Sequence, residues 1–489
     1  MSTTTKNDAG TSALSVETNG INTITEGERK GKPRDLFWPW AAANLSLFGV
    51  AYGAYLLGFG VSFWQATFIG IVGIIVSFLF VGIIALAGKR GSAPTLVLSR
   101  SIFGVNGNKV PSILSWVLTV GWEIVLVSLA TLATATVITQ MGGDGGVLTK
   151  VIALIIVAAL VVAAGVIGFD LILKLQFWIT IATAVLTVVY IVIAIPHIDL
   201  AVIAAIPAGD LPAVIGGFVF MMTGFGLGWV NAAADYSRYL PRNASSKGVV
   251  GWTTFGASVA PVLLLIFGLL LAGSSEDLMN ALFIDPVGAL APILPTWFLV
   301  PFILVAVLGF VGGAVLDIYS SGLALLTAGI RIPRPVAAGI DGVLMILGAI
   351  YVVFVATDFI GPFQAFLVTV GAPIAVWAGI FLADTILRKK GYAEKELYTA
   401  KGRYGSVSWL PIALMIVGTA VGWGFVTNTY FAAGFDWLGY FMGAIGGKEG
   451  TWQFANLGVL FALVIGFLGY LIFGRAAVKK QESTPLDND

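Results

Sequence analysis

Four polar side chains lie deep inside long apolar runs, where each needs a partner, a cavity or a pathway to sit against. Glu123 is in GWEIVLVS, Asp317 in GFVGGAVLDIYSSG, Asn44 in WAAANLSLFG and Thr223 in GGFVFMMTGFGLGW. An amide donates and accepts hydrogen bonds, whereas an ionised carboxylate only accepts. Two indoles stand beside these groups, Trp122 and Trp229, each directly after a glycine. On facing helices they would form a slot for a flat ring, with the polar groups selecting among rings. Each residue also has a plainer reading. The indoles can be core aromatics, Glu123 can tie two helices together, and Asp235 can pair with Arg238 at a helix end.

The elements that carry these residues are long apolar helices. The chain has 489 residues, is 58% apolar and only 10% charged, with mean hydropathy +0.97. Soluble domains carry about 25% charge. Runs beyond about 18 uncharged residues can cross the hydrocarbon core, and they do not alternate as barrel strands would. The fold class is therefore all-α and polytopic. Twelve spans are predicted, near 37–60, 64–88, 110–139, 150–168, 174–195, 211–233, 249–272, 297–327, 336–357, 362–386, 408–427 and 453–474. The glycines of the sixth, Gly216, Gly217, Gly224, Gly226 and Gly228, permit either close packing or a broken helix whose freed backbone groups bind a solute or ion.

Orientation follows from Lys and Arg. With the N-terminus inside, only Lys150 and Lys448 of the 26 basic residues fall outside. Both termini are then cytoplasmic. Residues 1–34 form a polar tail expected to be disordered, 35–475 the membrane domain and 476–489 a second cytoplasmic tail. The chain has no Cys and one His, His197, so neither a thiolate metal site nor a histidine cluster is expected. Net charge near zero gives a nucleic-acid partner no electrostatic footprint. Neither a phosphate loop nor a nucleophile–base pair stands out, which argues against an enzyme, and the lack of a repeated filter argues against a channel.

Four stretches carry a resemblance to a known family. They are GKRGSAPTLVLSRSIFGVNGNKVPSILSWVLTVGW (88–122), GLGWVNAAADYSRYLPR, DIYSSGLALLTAGIRIPRPVAAGID (317–341) and GAPIAVWAGIFLADTILRK (371–389). Together they resemble the nucleobase:cation symporter-1 family, in its purine–cytosine permease branch, over residues 34–475. The resemblance implies a 5+5 inverted repeat of the APC/LeuT-like kind plus two C-terminal helices, with the first and sixth helices broken at mid-depth. It implies secondary active import, by alternating access at the plasma membrane, of a small heteroaromatic ring such as cytosine or a purine. Membrane lipids and that solute are the expected partners, and no cofactor is implied.

Carried over residue by residue, Trp122 and Trp229 are the walls around the ring. The branch places an Asn four residues after its third-helix Trp, and here that position is Leu126. Two Asn four apart on the eighth helix correspond to Gly313 and Asp317. Asp317 can accept from ring N–H or amine groups, pair with a protonated substrate, or carry the coupling proton. Glu123 is the second coupling candidate. The hydroxyls that sodium-linked relatives place before the first Asn correspond to Val311 and Gly312, which favours a proton over sodium. Sodium coupling, a different ring such as pyridoxine, hydantoin or allantoin, and passive facilitation are the alternatives.

Overall fold

Apolar helices shape the whole chain in a computed structural model that describes residues 20–167, 169–330, 332–428 and 437–485. The side chains of 166–176 and 334 lie outside that description. The long helices are α3 (Phe63–Gly91), α4 (Lys109–Gln140), α5 (Val147–Ile167), α6 (Phe169–Ala194), α9 (Ser246–Ala272), α10 (Leu299–Thr327), α11 (Arg334–Phe354) and α12 (Ile360–Leu387). Ahead of them lies a bent pair, α1 (Phe37–Asn44) and α2 (Phe48–Leu57), and between α6 and α9 a broken one, α7 (Leu211–Gly224) and α8 (Gly226–Trp229). The chain closes with α13 (Trp409–Gly424), α14 (Leu457–Phe473) and α15 (Arg475–Ser483). Large apolar side chains stand exposed at helical spacing on outward faces, as with Trp64, Phe68, Ile75 and Leu79 on α3 and Val343, Leu347 and Ile350 on α11. Such stripes suit hydrocarbon as solvent.

Among the described residues, nine helices are long and apolar enough to cross a membrane, or up to eleven if each bent pair is one span. This is fewer than the twelve expected. The eleventh expected span is α13, whose 16 residues reach about 24 Å at 1.5 Å per residue, short of a core about 30 Å thick.

Both breaks have local causes. Leu45 leaves helical geometry (φ −88°, ψ 90°), and the Ser46 hydroxyl accepts the Phe48 N–H at 3.3 Å, satisfying one orphan donor of α2. The two halves meet at 67°. The sixth span leaves its helix at Phe225 (φ −120°, ψ −104°). The Gly224 carbonyl freed there accepts the Tyr52 hydroxyl at 3.1 Å, and the Gly226 N–H donates to Ser77 Oγ at 3.1 Å. A Cβ on Gly226 would collide with the Ser77 backbone, so only glycine lets α8 approach α3 this closely. Tyr52 packs on Phe225 with centroids 4.4 Å apart, which brings the two breaks side by side.

One end of the bundle is basic, and much of its charge is turned inward. Lys89 and Arg100 are 6% exposed, Arg388 1% and Arg238 0%. Arg238, at the helix end where it could pair with Asp235, donates to the Tyr319 and Tyr239 hydroxyls, each at 3.0 Å. Desolvated Arg is held by donors matched to acceptors rather than by water. Of the N-terminal tail, residues 1–19 lie outside the described residues. Residues 20–34, expected to be disordered, are bound to this end. Ile24 is buried and its N–H donates to Ser92 O at 2.7 Å. Arg29 donates to Leu240 O at 2.5 Å and to Ser92 Oγ, and Arg242 bridges Glu26 at 2.6 Å and Glu394 at 2.7 Å. Within 476–489, the described part is mostly α15, whose Gln481 donates to Ser101 O at 2.9 Å.

The hydrogen bond from Arg242 holds the Glu26 carboxyl below its ordinary value of 4.5. A depressed carboxyl stabilises the folded arrangement above its ordinary value and stops doing so as pH falls through its lowered one. Because the chain lacks Cys, a spin label at Gly27→Cys reports this N-terminal segment alone. Its mobility is expected to rise as pH falls below that lowered value, and E26Q should be mobile already at pH 7. A label equally immobile in E26Q at pH 7 would show that other contacts hold the segment.

Candidate substrate site

The expected site residues converge at the two breaks. On α10, Gly309, Gly313, Asp317 and Ser321 recur every four residues and so share one face. Gly309 faces Leu45 O and Ser46, and Gly313 faces the Ala43 carbonyl and the Leu126 side chain of α4. Leu126, itself buried, thus fills the space beside Gly313. Asn44 ends α1 and turns its amide back, donating to Trp40 O at 2.9 Å.

Trp122 stands against Gly228, where a Cβ would lie 2.9 Å from its Nε1. Its indole meets Phe363 and Phe366 edge-on at 5.6 and 6.1 Å. Trp229 meets Trp40 edge-on at 5.9 Å and 89°. Among the described residues the two indoles thus make their ring contacts with different neighbours.

The electrostatics are unusual. Asp317 is 1% and Glu123 0% exposed, and all four carboxyl oxygens lack a directed hydrogen bond. Trp122 Nε1, Trp40 Nε1 and Asn231 Oδ1 are buried and unpartnered too. Buried polar atoms are paired in the great majority of cases. The other end of the Asn231 amide is used, donating to Ser115 Oγ of α4 at 2.8 Å.

Packed layers lie on both sides of these residues. Toward the face opposite the basic end lies a cavity of about 590 Å³, lined by Tyr55, Phe220, Thr223, Gln364, Asn428 and Asn456 among others. None of Trp122, Glu123, Trp229 and Asp317 lines it. Rings separate the two: Phe220 of the cavity wall meets Phe363 at 6.3 Å, and Phe363 meets Trp122. Phe48 and Tyr52 complete the layer. Thr223, at the end of α7, lines both the cavity and a recess of only about 10 Å³ beside Gly228. Toward the basic end, Asp235 accepts from Thr95 N and Oγ at 2.9 and 2.7 Å and from Ser320 Oγ at 3.1 Å, beneath which Arg238 lies buried.

Sequence reasoning did not reach Asp341. It is 0% exposed, and it accepts from Trp116 Nε1 at 2.5 Å and Ser321 Oγ at 2.7 Å. Its signal was an acid two turns inside the ninth span, in PRPVAAGIDGVLM. Trp40 was masked by the abundance of aromatic residues.

Spanning helices arranged around two adjacent breaks, with orphan polar atoms between them and a cavity on one side, belong to an integral membrane carrier of small solutes, not to an enzyme. The chain belongs to the nucleobase–cation symporter family of permeases for cytosine/purines, uracil, thiamine and allantoin, whose profile matches residues 23–446. It is 23% identical to YxlA of Bacillus subtilis (strain 168), named among purine-cytosine permeases, over 96% of this chain and 98% of that one. It is 25% identical to purine-cytosine permease FCY21 of Saccharomyces cerevisiae (strain ATCC 204508 / S288c), over 52% of this chain and 48% of that one. Its fold is similar to that of Mhp1, a nucleobase-cation-symport-1 family transporter solved in a closed conformation with bromovinylhydantoin bound. The TM-score is 0.69 at 16% identity, covering 98% of each chain. The fold is thus related to the LeuT-like inverted-repeat architecture, and the protein is a secondary active transporter.

Proposed function

We propose that the protein imports a small heteroaromatic ring, a nucleobase such as cytosine or a purine, with a proton, by alternating access. One observation carries this reading: Trp122 Nε1 and both Asp317 oxygens are buried without partners at the breaks, where a ring with N–H and acceptor edges would satisfy them. Trp122 and Trp229 flank the ring. Asp317 accepts from it, Gly313 and Leu126 shape the pocket where amides are the family pattern, and Asn44 borders it from the first break. Glu123 and Asp317 are the groups able to carry the coupling proton. The names of the relatives, purine-cytosine permeases, agree with a nucleobase.

The cavity opposite the basic end is the way in, and the Asp235–Thr95–Ser320 layer is the closed way out. The basic end faces the cytoplasm of a plasma membrane, with both termini there. Counting α13 as a short span gives twelve, arranged as 5+5+2 within 35–475. Sodium coupling is the second reading, because Ala43 and Leu45 carbonyls face α10 at the break. Against it, Val311 and Gly312 add no side-chain oxygen.

Uptake of radiolabelled cytosine, adenine, hypoxanthine, uracil, allantoin and pyridoxine into proteoliposomes tests the reading, with a pH gradient or a sodium gradient imposed separately. Accumulation of a nucleobase under the pH gradient alone is the expected result. Accumulation of none, or only under sodium, would refute it. Trp229→Ala should lower affinity for the transported ring about tenfold, the value of one aromatic contact, at unchanged expression. Wild-type affinity in the purified variant would remove Trp229 from the site.

A further inference from the structure

Asp341 has no part in the ring site, yet it is tied to it. On α10, Ser321 lies one turn from Asp317 toward the basic end. Its hydroxyl donates to Asp341 Oδ2 at 2.7 Å, with Ile318 O at 3.1 Å as a second acceptor. Helices α4 and α10 pack against each other. Leu126 of α4 lies against Gly313 of α10, and Trp116 of α4 and Ser321 of α10 meet on the Asp341 carboxylate. Glu123 lies between these two contacts, where its carboxyl interacts with Ser321. Both its oxygens are fully buried and make no directed hydrogen bond. Helix polarity explains the convergence. Side chains lean toward the N-terminus of their helix, so Glu123 leans toward the basic end, where α4 begins, and Ser321 leans away from it. Asp341 lies 7 residues into α11, about 10 Å from the basic end at 1.5 Å per residue. The acids form a ladder from mid-depth toward that end.

The charges around this ladder are few. Helix α11 packs against α4, α5 and α10. Helix α4 carries Glu123 and, at its basic-end start, Lys109; α10 carries Asp317 and Tyr319; α11 carries Tyr351; residues 151–165 of α5 contain no titratable side chain. On α11 itself, the Arg334 side chain lies outside the described residues. Among the described residues, no cation pairs with Glu123, Asp317 or Asp341. A buried carboxylate with no hydrogen bond of its own is too costly to stay charged, so Glu123 is the group that holds a proton, whereas Asp341, which accepts from Trp116 and Ser321, can stay ionised and receive it.

We propose that Ser321 bridges Glu123 and Asp341 as a proton relay, which carries the coupling proton between the ring site and the basic end while Asp317 serves the ring. This rests on the proton-coupled reading of the site. The transfer balances: the Glu123 O–H breaks as a new O–H forms at Ser321, and the original Ser321 O–H breaks as one forms at Asp341. One proton moves and no co-reactant is needed. Trp116, which donates to Asp341 Oδ1, positions the acceptor.

Two measurements on the full-length protein in lipid separate the relay from the reading beneath it. Infrared difference spectra across a pH titration, with no solute present, are expected to show a protonated-carboxyl C=O band. It should vanish in E123Q, move in S321A and D341N, and return to its place in S321T. A band that S321A and D341N leave unmoved would overturn the relay, whatever drives transport. In proteoliposomes loaded with the nucleobase that wild type accumulates, S321A should reduce pH-driven accumulation about 100-fold more than it reduces counterflow, the low end for loss of a proton-transfer group. S321T should restore it. Equal reduction of both would overturn the relay alone. A wild type driven by sodium and not by pH would overturn the proton-coupled reading and, with it, the transport role of the relay.

Discussion

Asp317→Asn is expected to lower affinity for the transported ring by about 10- to 150-fold, the range for losing a hydrogen bond to a charged group worth ~1.5–3 kcal/mol. It should also change which rings compete. The carboxyl is 1% exposed with both oxygens unpartnered, on the α10 face that meets the first break at Gly309 and Gly313. Asparagine has nearly the same shape, so packing is preserved. It replaces one acceptor oxygen by an N–H₂ donor. A ring that presents an N–H or amine to Asp317 would then face a donor with its own donor, whereas a ring with an acceptor at that edge would gain a partner. The measurement is competition by a panel of nucleobases against the wild-type substrate, in purified wild type and D317N. Unchanged affinity and unchanged ranking would remove Asp317 from the ring site. Unchanged affinity with loss of pH-driven accumulation would make it the proton site instead and overturn its role as ring acceptor.

The spans were legible because crossing a membrane demands long apolar helices, and composition alone records that demand. The breaks were half legible. Glycines at 224, 226 and 228 allow a discontinuity but do not require one, and the deciding contacts, from Tyr52 and Ser77, come from other helices. The first break has only Leu45 to Leu47 between its halves and left little trace in the sequence. Asp317 and Glu123 could be found because a carboxyl within a long apolar run is conspicuous. Asp341 is just as buried but lies close to a span end, where an acid reads as an interfacial residue. Its partners Trp116 and Ser321 belong to spans that only tertiary packing brings together. The basic end misled for the same reason. Counting Lys and Arg gives a side for each loop, but it does not tell that Arg238 and Arg388 point into protein rather than toward lipid headgroups. That distinction depends on acceptors contributed by distant segments, including residues 20–34, whose polar composition suggested disorder.

Arg388 supports the second large effect, on stability. It lies just past the end of α12 and forms two parallel bonds to Asp384, Nε to Oδ2 at 3.0 Å and Nη2 to Oδ1 at 2.9 Å. Both side chains are essentially unexposed, at 1% and 0%. The guanidinium also lies over the Tyr392 ring at 4.9 Å and donates to Gln481 Oε1 at 2.8 Å, which ties α15 to the bundle. The Tyr470 hydroxyl of α14 reaches Asp384 at 3.4 Å. Such a pair gains little over an apolar filling, because desolvation of two ions offsets their attraction. Removing one partner is different, since the other is left charged and buried. Arginine does not escape this by deprotonating. Asp384→Ala should therefore destabilise the protein by about 3–5 kcal/mol, read by unfolding in mixed micelles. The double variant D384A/R388A should be destabilised by less than the two single losses combined, because no orphaned ion remains. The cycle separates the charge from the cavity. Strict additivity would mean that lost packing, not the stranded guanidinium, accounts for the effect, and a D384A loss below about 1 kcal/mol, the level of an exposed pair, would mean that water reaches Arg388 at this end of the bundle.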